Sequence, residues 1–481
     1  MKKKLVYRPS KFLCLFFFFI PLFFCLCSNM RLDNDTWFLL RSGRYVLSHG
    51  IPSMEPFTIH QGFSFVMQQV LTGVIFAKVY EFGGGMLLAF LVVCLFVLFS
   101  YLFYRLCFYL SDRNFYLSFI LTFIIALFLS RGYFVARPQI FSYIHYILLF
   151  WALEHYVKEK KSKYLFLLPA ISFFEMQLHG ATWWMLLCFV LPYLVECFPL
   201  SIGGFEKERY SFSPLLLAIC LMFVSACFNP YGFASFSYLF LSFGNPILHL
   251  MIREMKLPTV KTFLGKVIYA SVFIVLGFYI KNKKPVKIRY ACLLLGTIFL
   301  TLTTYRSFPY FLIATIFPLA SYCKDKISLQ PIPTSRKYQV VYVIFLVISI
   351  TCCCIFFKRN YQMTHPLDGI VSYLDATTNK TDVILYTSFD SGSYMEFQGY
   401  KVYIDPRAEV FSKKLNHQYD VLAEYYYLQS KGGDIKAFLK RYPFTHLLVT
   451  KKDNLYSYLK DDPTYQLVYH DQNYFLYCKI S

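Results

Sequence analysis

The sequence predicts a polytopic α-helical membrane protein with about eleven spanning helices and a small C-terminal α/β domain outside the membrane. Hydrophobic residues make up 57% of the 481 residues and charged residues only 16%, which does not describe a water-facing surface. Apolar runs of roughly 20 residues recur along the chain, separated by short polar stretches. After Lys358 the composition changes to that of a soluble domain.

The formal charge of +21 raises the alternative of nucleic-acid binding. The basic residues form separate clusters between the apolar runs, whereas binding to phosphate backbones needs a continuous basic face. Separate clusters are what the positive-inside rule produces, so they indicate cytoplasmic loops and argue against a nucleic-acid partner. The clusters are 2–11, 158–163, 281–289 and 324–337.

The predicted spans alternate in direction from a cytoplasmic N-terminus, and their odd number places the C-terminus outside the cytoplasm. The first apolar stretch also fits a signal peptide, but it is bulky and has no small-residue cleavage site before Asn29, which favours an uncleaved helix. Two outer segments, about 30–82 and 229–266, are too long for simple turns, and the second is interpreted as interfacial helices. The predicted spans are 12–29, 86–108, 115–131, 139–157, 164–178, 182–199, 212–228, 267–280, 290–304, 308–322 and 339–357.

These boundaries divide the chain into a membrane domain, 1–357, and an extracytoplasmic domain, 358–481. In the second domain, short strand-like runs alternate with helical patterns, which favours a small α/β fold. The predicted strands are 383–386, 401–404 and 446–449 with a hairpin over 466–478, and the predicted helices are 434–441 and 454–460.

The first outer segment contains the main candidate residues for chemistry. Asp33 and Asp35 follow shortly after the predicted first span, and Arg31, Arg41 and Arg44 are near them in sequence. A carboxylate at the membrane surface can take a proton from an acceptor hydroxyl as a general base, or orient a metal, and neighbouring Arg side chains would keep it ionised. Composition alone leaves open the alternative that these are ordinary solvated acids beside a helix end.

The same segment resembles the bacterial polytopic membrane glycosyltransferases of the GT-C superfamily, related to the enzymes that transfer mannose or aminoarabinose from lipid carriers. Those proteins have a cytoplasmic N-terminus, a first helix, and an acidic residue or pair in a long first outer loop. The order of the motifs, more than any single one, carries the resemblance. In this chain they are D-x-D-x-W (Asp33, Asp35, Trp37), LRSGRY (40–45), HGIP (49–52), ARPQ (136–139), LHG (178–180), NPYG (229–232), Arg306 and IDPR (404–407).

The resemblance implies an inverting glycosyltransferase that moves a sugar from a polyprenyl-phosphate carrier to a glycan, lipid or protein acceptor on the outer face of the cell membrane. Asp35 or Asp33 would be the catalytic base or metal orienter, and the need for a divalent cation, Mg²⁺ or Mn²⁺, stays open. Guanidinium groups pair phosphate oxygens in a fork, so Arg side chains on the outer side are candidates for the carrier phosphate. The substrate-binding candidates are Arg137, His179, Arg253, Glu254 and Arg306.

The motifs from ARPQ onward are similar to those of an uncharacterised subgroup of GT-C-like proteins, and the chain departs from that subgroup near the end of the first outer loop. That subgroup has Trp and then an acidic residue with Trp, whereas this chain has Phe65 and Gln68-Gln69, which leaves the acceptor side of the site open. Arg side chains at helix ends also snorkel for structural reasons, and a buried helix-end role is an alternative for His179.

Three further alternatives stay open from the sequence. In the outer domain, Asp390, Asp405, Arg407 and Glu409 could contact the acceptor, but a structural Arg-carboxylate pair at an Asp-Pro turn is favoured. A transporter or flippase for lipid-linked glycans would carry charges in the middle of its helices. Few charges lie there in this chain, and the main exceptions, Glu175 and Glu196, are near predicted helix ends. A non-catalytic envelope assembly protein would use the outer domain to bind a partner.

Overall fold

The computed structural model describes residues 20–21, 23–25, 28, 31–198, 204–242, 246–281, 285–324, 344, 347–348, 350–355, 357–358, 361, 364–431 and 433–480. The predicted span 12–29 falls largely outside these ranges, and about half of the predicted span 339–357 does. In the described part, Val70–Leu110, Ser162–Cys197 and Phe263–Lys281 are long and apolar enough to cross a membrane, and 115–129, 212–227 and 288–303 are shorter apolar helices. The expected helical protein with a small C-terminal sheet is thereby confirmed, while the number of spans stays a prediction.

Twelve described helices precede the C-terminal domain, together with two-residue strands β1 (Phe205–Glu206) and β2 (Val286–Lys287), which pair in parallel. The helices are α1 Asn34–His49, α2 Val70–Leu110, α3 Phe115–Leu129, α4 Gln139–Glu159, α5 Leu167–His179, α6 Trp183–Cys197, α7 Phe212–Cys227, α8 Ala234–Ser242, α9 Pro246–Met251, α10 Phe263–Lys281, α11 Ile288–Thr303 and α12 Phe308–Cys323.

The first outer segment is more helical than its polar composition indicates. It contains α1, and α2 begins at Val70, well before the span predicted from residue 86. Gly83 and Gly84 have non-helical backbone angles, with φ +64° at Gly84, so α2 is kinked between its two halves. The first half is helical because it packs against α1, which gives it a partner outside the apolar bundle.

The second outer segment consists of α8, α9 and a 3₁₀ turn at Arg253–Met255. Phe233 and Phe240 are 72% and 61% exposed, as expected for apolar side chains that face a membrane interface. The segment is tied to the first one because the Tyr231 hydroxyl donates to the Pro52 carbonyl oxygen at 2.7 Å. The NPYG motif therefore has a structural role here: it shapes the turn that connects the two outer segments.

The C-terminal domain is a five-stranded mixed sheet with the order β4-β3-β5-β7-β6. β3 pairs in parallel with β4 and β5, and β7 pairs antiparallel with β5 and β6. The strands lie close to the predicted runs, and both predicted helices are present. The elements are β3 Ile384–Tyr386, β4 Lys401–Val402, β5 His446–Thr450, β6 Tyr465–His470, β7 Tyr474–Lys479, α13 Asp368–Thr377, α14 Gly392–Phe397, α15 Lys413–Asn416, α16 Val421–Lys431, α17 Ile435–Arg441 and α18 Asn454–Leu459.

The first outer segment continues this sheet at its β4 edge. The Ile59 amide donates to the Val402 carbonyl at 2.9 Å, and His60 Nε2 lies 2.8 Å from the Tyr403 carbonyl oxygen. Phe63 and Phe65 are buried in one apolar cluster with side chains of the C-terminal domain such as Tyr403. The division predicted near residue 357 therefore separates two compositions, but apolar packing is continuous across it.

One basic residue of the third predicted cluster is not a surface charge. Arg289 is 1% exposed, and its guanidinium lies 3.0 Å from Glu154 and 2.8 Å from Glu196. Tyr193 and Tyr290 donate hydrogen bonds to the Glu154 carboxylate. The positive charge is compensated inside the helical bundle, so Arg289 joins α4, α6 and α11 instead of marking a loop.

Candidate active site

The two acids of the D-x-D-x-W motif lie at the start of α1 and have different local roles. Asp33 is the N-cap residue, and its Oδ1 accepts the Thr36 amide hydrogen bond at 2.9 Å. Asp35 lies in the first turn and is not needed as a cap. Trp37, two residues later, packs its ring against Tyr394 and Phe397 of the C-terminal domain at centroid distances of 4.9 and 4.8 Å. The motif thus combines a cap, a second acid and an aromatic anchor.

Arg137 joins these acids from a different part of the chain. Its Nε lies 2.6 Å from Asp33 Oδ2, and its Nη1 lies 2.9 Å from Asp35 Oδ2 and 3.3 Å from Glu254 Oε1. The Thr36 hydroxyl lies 2.9 Å from the Ala136 carbonyl oxygen, which fixes the backbone of the ARPQ turn against α1. The structure therefore brings four of the sequence-predicted site residues, Asp33, Asp35, Arg137 and Glu254, into direct contact.

The Glu254 side of the site rests on a second turn, Tyr305–Ser307. The Tyr305 amide donates to the Lys256 carbonyl, and the Tyr133 hydroxyl donates to the Tyr305 carbonyl at 3.1 Å. Arg306 in this turn is exposed and lies within electrostatic range of Asp35 and Glu254. Among the described residues its guanidinium has no ion-pair or hydrogen-bond partner, so it is available to a bound anion.

The pKa values of Asp35 and of its cationic partner Arg137 are both shifted by their surroundings. Burial raises the pKa of Asp35 to about 7; Arg137 opposes this rise, and the charges of Asp33 and Glu254 add to it. For Arg137, burial lowers the pKa, but the charges of Asp35, Asp33 and Glu254 outweigh burial and raise it. The site thus holds a permanent cation beside a carboxyl group that can gain or lose a proton near neutral pH.

Arg41 and Arg44 are close to the acids in sequence, but neither forms an ion pair with Asp33 or Asp35 among the described residues. The Arg41 guanidinium lies over the Phe57 ring at 5.3 Å, and the Arg44 guanidinium lies over the Phe397 ring at 4.2 Å. The expectation that Arg41 and Arg44 neutralise Asp35 is therefore wrong, because aromatic rings distant in sequence bind these two side chains. Arg137 takes that position instead. Arg253 is exposed and has no ion pair with an acid of the site.

His179 lies in a buried hydrogen-bond network at the end of α5. Its Nδ1 is 2.7 Å from both the Ser142 and the Thr182 hydroxyl oxygens, and among the described residues no hydrogen bond or ion pair joins it to Arg137. The next residue, Gly180, donates its amide hydrogen to the Gln68 carbonyl at 2.7 Å. This placement favours the structural alternative for His179, with the LHG motif holding the end of the first outer segment.

In the C-terminal domain, the IDPR motif forms a buried ionic cluster that the sequence did not fully predict. Arg407 pairs with Asp405, with Glu55 at 2.9 Å and with Glu396 at 3.2 Å, and all four residues are at most 6% exposed. Burial raises the pKa of Glu396 well above its usual range, and the neighbouring Asp405 adds to the shift. Asp390 and Glu409 form no ion pair with Arg407 in the described structure. The structural interpretation of Arg407 is thus favoured, and the pairing of Glu55 from the first outer segment was missed.

The acidic site does not present a set of metal ligands. Asp33, Asp35 and Glu254 all face the Arg137 guanidinium, which occupies the position that a shared cation would need. Within the described ranges, no group of three His, Cys, Asp or Glu side chains could hold a metal ion. The residues do not fit a divalent cation in this arrangement.

No family model and no curated protein sequence matches the chain. Solved structures do match it. The oligosaccharyltransferase of Archaeoglobus fulgidus in its apo form aligns with a TM-score of 0.57 at 11% identity over 92% of this chain and 70% of that protein. ArnT from Cupriavidus metallidurans bound to undecaprenyl phosphate aligns with a TM-score of 0.56 at 11% identity over 98% and 99%.

A third match is the mycobacterial arabinofuranosyltransferase AftD, with a TM-score of 0.55 at 11% identity over 99% of this chain and 40% of that protein. All three are GT-C glycosyltransferases, and the alignments extend over more than nine-tenths of this chain. The fold that the resemblance implies is thereby confirmed. The chain has the fold of the GT-C glycosyltransferase superfamily.

Proposed function

We propose that this protein is a membrane glycosyltransferase that moves a sugar from a polyprenyl-phosphate carrier to an acceptor on the outer face of the cell membrane. One observation carries the proposal: acids and an arginine from three distant segments, at 33–35, 137 and 254, meet at one end of an apolar helical bundle. A structural neighbour, ArnT, was solved with undecaprenyl phosphate, and the oligosaccharyltransferase was solved with a tethered acceptor peptide. These ligands support a lipid-linked donor and a separate acceptor here.

We assign the general-base role to Asp35. One carboxylate oxygen of Asp33 caps α1 and the other binds Arg137, so Asp33 is committed to structure. Asp35 binds Arg137 through Oδ2, and its Oδ1 has no hydrogen-bond partner among the described residues. Asp35 would take the proton of an acceptor hydroxyl as that oxygen attacks the anomeric carbon. The bond from that carbon to the carrier phosphate then breaks, which releases the polyprenyl phosphate and inverts the configuration.

We assign the carrier phosphate to Arg306 and not to Arg137. Arg137 already faces three carboxylates, and a phosphate would have to displace one of them. Arg306 is exposed beside the same carboxylates without a partner in the described structure, and a guanidinium can bind two phosphate oxygens at once. The acid and the phosphate site would then lie on either side of Glu254, which belongs to the turn packed against that of Arg306.

The arrangement of the remaining buried acids supports catalysis over transport. Glu175 pairs with His145 at 2.6 Å, and Glu196 pairs with Arg289 at 2.8 Å. A transport pathway needs ionisable groups that exchange partners with a passing substrate, whereas these acids have fixed partners inside the bundle. The assembly-protein alternative does not account for a titratable carboxyl beside an unpaired guanidinium.

The proposal is tested by replacing Asp35 with Asn in the purified full-length protein. The assay incubates the protein with a panel of radiolabelled polyprenyl-phosphate sugars and membrane extract, and it measures released polyprenyl phosphate. We expect the Asp35→Asn variant to lose about 10²-fold or more in rate, since a positioned base contributes on that scale. The Glu81→Gln variant loses the same charge from an exposed pair with Lys78 and should keep wild-type turnover. Normal turnover by a folded Asp35→Asn protein would remove the proposed role.

A further inference from the structure

A polar cavity lies at the opposite end of the helical bundle from the acids. Its volume is about 300 Å³, and it is lined by Tyr156, Lys160, Ser162, Arg209, Tyr210 and Ser211. The 21-residue helix α4 has Arg137 just before its first residue and Lys160 directly after its last. At 1.5 Å per residue such a helix is roughly 30 Å long, which matches the hydrocarbon core of a bilayer. The cavity therefore belongs to the other membrane face.

The two cations that line the cavity lack the partners that neighbouring basic residues have. Lys161 pairs with Glu159 at 3.3 Å, and Lys158 lies 3.6 Å from Asp112. Lys207 donates to a backbone carbonyl. The side chains of Lys160 and Arg209 form no ion pair or hydrogen bond with any described residue, and both residues line the same cavity. Two uncompensated positive charges thus converge on one space.

The walls of the cavity are fixed, and their free polar groups suit an anion. The Tyr156 hydroxyl donates to the Ser211 carbonyl, and the Tyr210 hydroxyl donates to the Tyr193 carbonyl at 2.7 Å, which holds the two rings in place. The Ser162 and Ser211 hydroxyls have no partner in the described ranges, and no carboxylate lines the cavity. Two cations and two hydroxyl donors with no competing acid match the chemistry of a phosphate group.

Apolar side chains beside the cavity favour a lipid as the source of that phosphate. Phe166, in the same 3₁₀ turn as Ser162, is 75% exposed, and Phe198 is 48% exposed. The Phe198 ring contacts that of Phe212, the neighbour of Ser211, at 5.5 Å. A basic pocket with an exposed aromatic rim at a membrane face is suited to a headgroup whose acyl chains remain in the bilayer.

We propose that this cavity binds the phosphate headgroup of an anionic phospholipid in the leaflet opposite the acidic site. Lys160 and Arg209 bind the phosphate oxygens, and the Ser162 and Ser211 hydroxyls donate to them. This lipid site stands independently of the proposed transferase activity, because none of its residues belongs to the acidic site. It would hold α4, the 3₁₀ turn that follows it and the loop before α7 together at that face.

The test titrates the detergent-solubilised full-length protein with phosphatidylglycerol or phosphatidylcholine and measures bound lipid by native mass spectrometry. The wild type should bind phosphatidylglycerol more tightly than phosphatidylcholine. A Lys160→Gln/Arg209→Gln variant should bind phosphatidylglycerol roughly 30-fold more weakly, because each basic residue contributes about a fivefold factor in affinity. Its affinity for phosphatidylcholine should not change.

The matched control is Lys161→Gln/Lys163→Gln, which removes the same charge from the same face outside the cavity. We expect less than about a threefold effect in this control, since exposed charges contribute little. An equal loss in the control, no preference for phosphatidylglycerol in the wild type, or full displacement of the lipid by inorganic phosphate would overturn the proposal. If the double variant unfolds, Lys160→Gln alone replaces it, with an expected loss of about fivefold.

Discussion

Asp33 and Asp35 are two residues apart, yet their surroundings give them different chemistry. Asp33 satisfies a backbone donor at the start of α1 and pairs with Arg137, so both of its oxygens are occupied. Asp35 shares Arg137 but has a raised pKa of about 7, caused first by burial. A base is most effective when its pKa lies near the working pH. The second acid of the motif therefore has the properties that proton transfer requires.

We expect the activity of the wild-type protein to depend on pH through Asp35. Because a general base must be unprotonated, a pKa near 7 means that activity is lost as the pH falls through 7 and reaches a plateau above it. The measurement is kcat/KM for polyprenyl-phosphate sugar cleavage between pH 5 and 9, a range set to bracket a pKa of about 7. An inflection near the ordinary Asp value of about 4 would contradict the assignment.

The control for this profile is Glu254→Gln. The Glu254 charge raises the pKa of Asp35, so its removal should move the inflection to lower pH. An unchanged inflection in this variant would mean that another group produces the pH dependence.

At the scale of single residues, the sequence shows which residues are candidates for the site better than it shows which of them form ion pairs. Asp33, Asp35, Arg137 and Glu254 could be chosen in advance because the sequence predicts that they lie on the outer side of the membrane and carry the right charges. That Arg137, and not Arg41 or Arg44, neutralises the acids could not be predicted. Aromatic rings of Phe57 and Phe397 bind those two Arg side chains, and sequence proximity does not show which ring a helix faces.

At the scale of elements, α1 is the support on which the site is built. Asp33 as N-cap and Gly50 with φ +83° at the end are ordinary helix start and stop signals, so this helix could have been predicted from the sequence. The early start of α2 could not be predicted so readily. The segment 70–82 contains the charged residues Lys78 and Glu81, so it does not look like part of an apolar span. Its helix packs against α1, where Gly43 lies against Gly73.

We expect Gly43→Ala to destabilise the protein and to lower its activity. A Cβ atom at Gly43 would lie 1.9 Å from the Gly73 carbonyl oxygen, so α1 would have to move away from α2 and carry Asp35 with it. Overpacking of this kind costs about 1–3 kcal/mol in the free energy of unfolding. The measurement is the thermal unfolding midpoint in detergent, alongside the transfer assay.

Gly277→Ala in α10 is the matched control, because nothing lies within 4 Å of a Cβ atom there. This control should unfold at the same temperature as the wild type or slightly above it, since Ala favours a helix over Gly. Equal midpoints for the two variants would mean that the contact between Gly43 and Gly73 does not set the position of α1.

At the scale of the whole molecule, the C-terminal domain holds the first outer segment in place. The change in composition after residue 358 predicts a separate C-terminal domain, and the strands of its sheet lie close to the short apolar runs. Its attachment to residues 55–65 has no comparable signal, because Glu55 and Arg407 lie far apart in sequence and meet only in the folded chain. The sequence thus predicts the parts of the molecule more reliably than the contacts between them.

We expect Arg407→Met to release the first outer segment from the C-terminal domain. The substitution would leave Asp405, Glu55 and Glu396 buried without their cation, and breaking such a group costs about 3–5 kcal/mol. Thermal unfolding should show the loss, and limited proteolysis should cut between residues 50 and 69 more rapidly. Turnover should fall with it, since this segment continues from α1.

Arg441→Met provides the comparison. Arg441 pairs with Glu424, but its side chain is 62% exposed, so we expect a change below about 1 kcal/mol. A similar small effect for Arg407→Met would show that the buried cluster does not support the attachment.

Neither edge of the C-terminal sheet is both regular and uncovered in the described structure. At β4 the protein's own Ile59 occupies the position of a further strand, and at the opposite edge β6 has an irregular register between Leu467 and Tyr469. A regular, uncovered edge is what an incoming peptide needs in order to add a strand. An incoming strand would therefore meet an occupied edge at β4 and an irregular edge at β6.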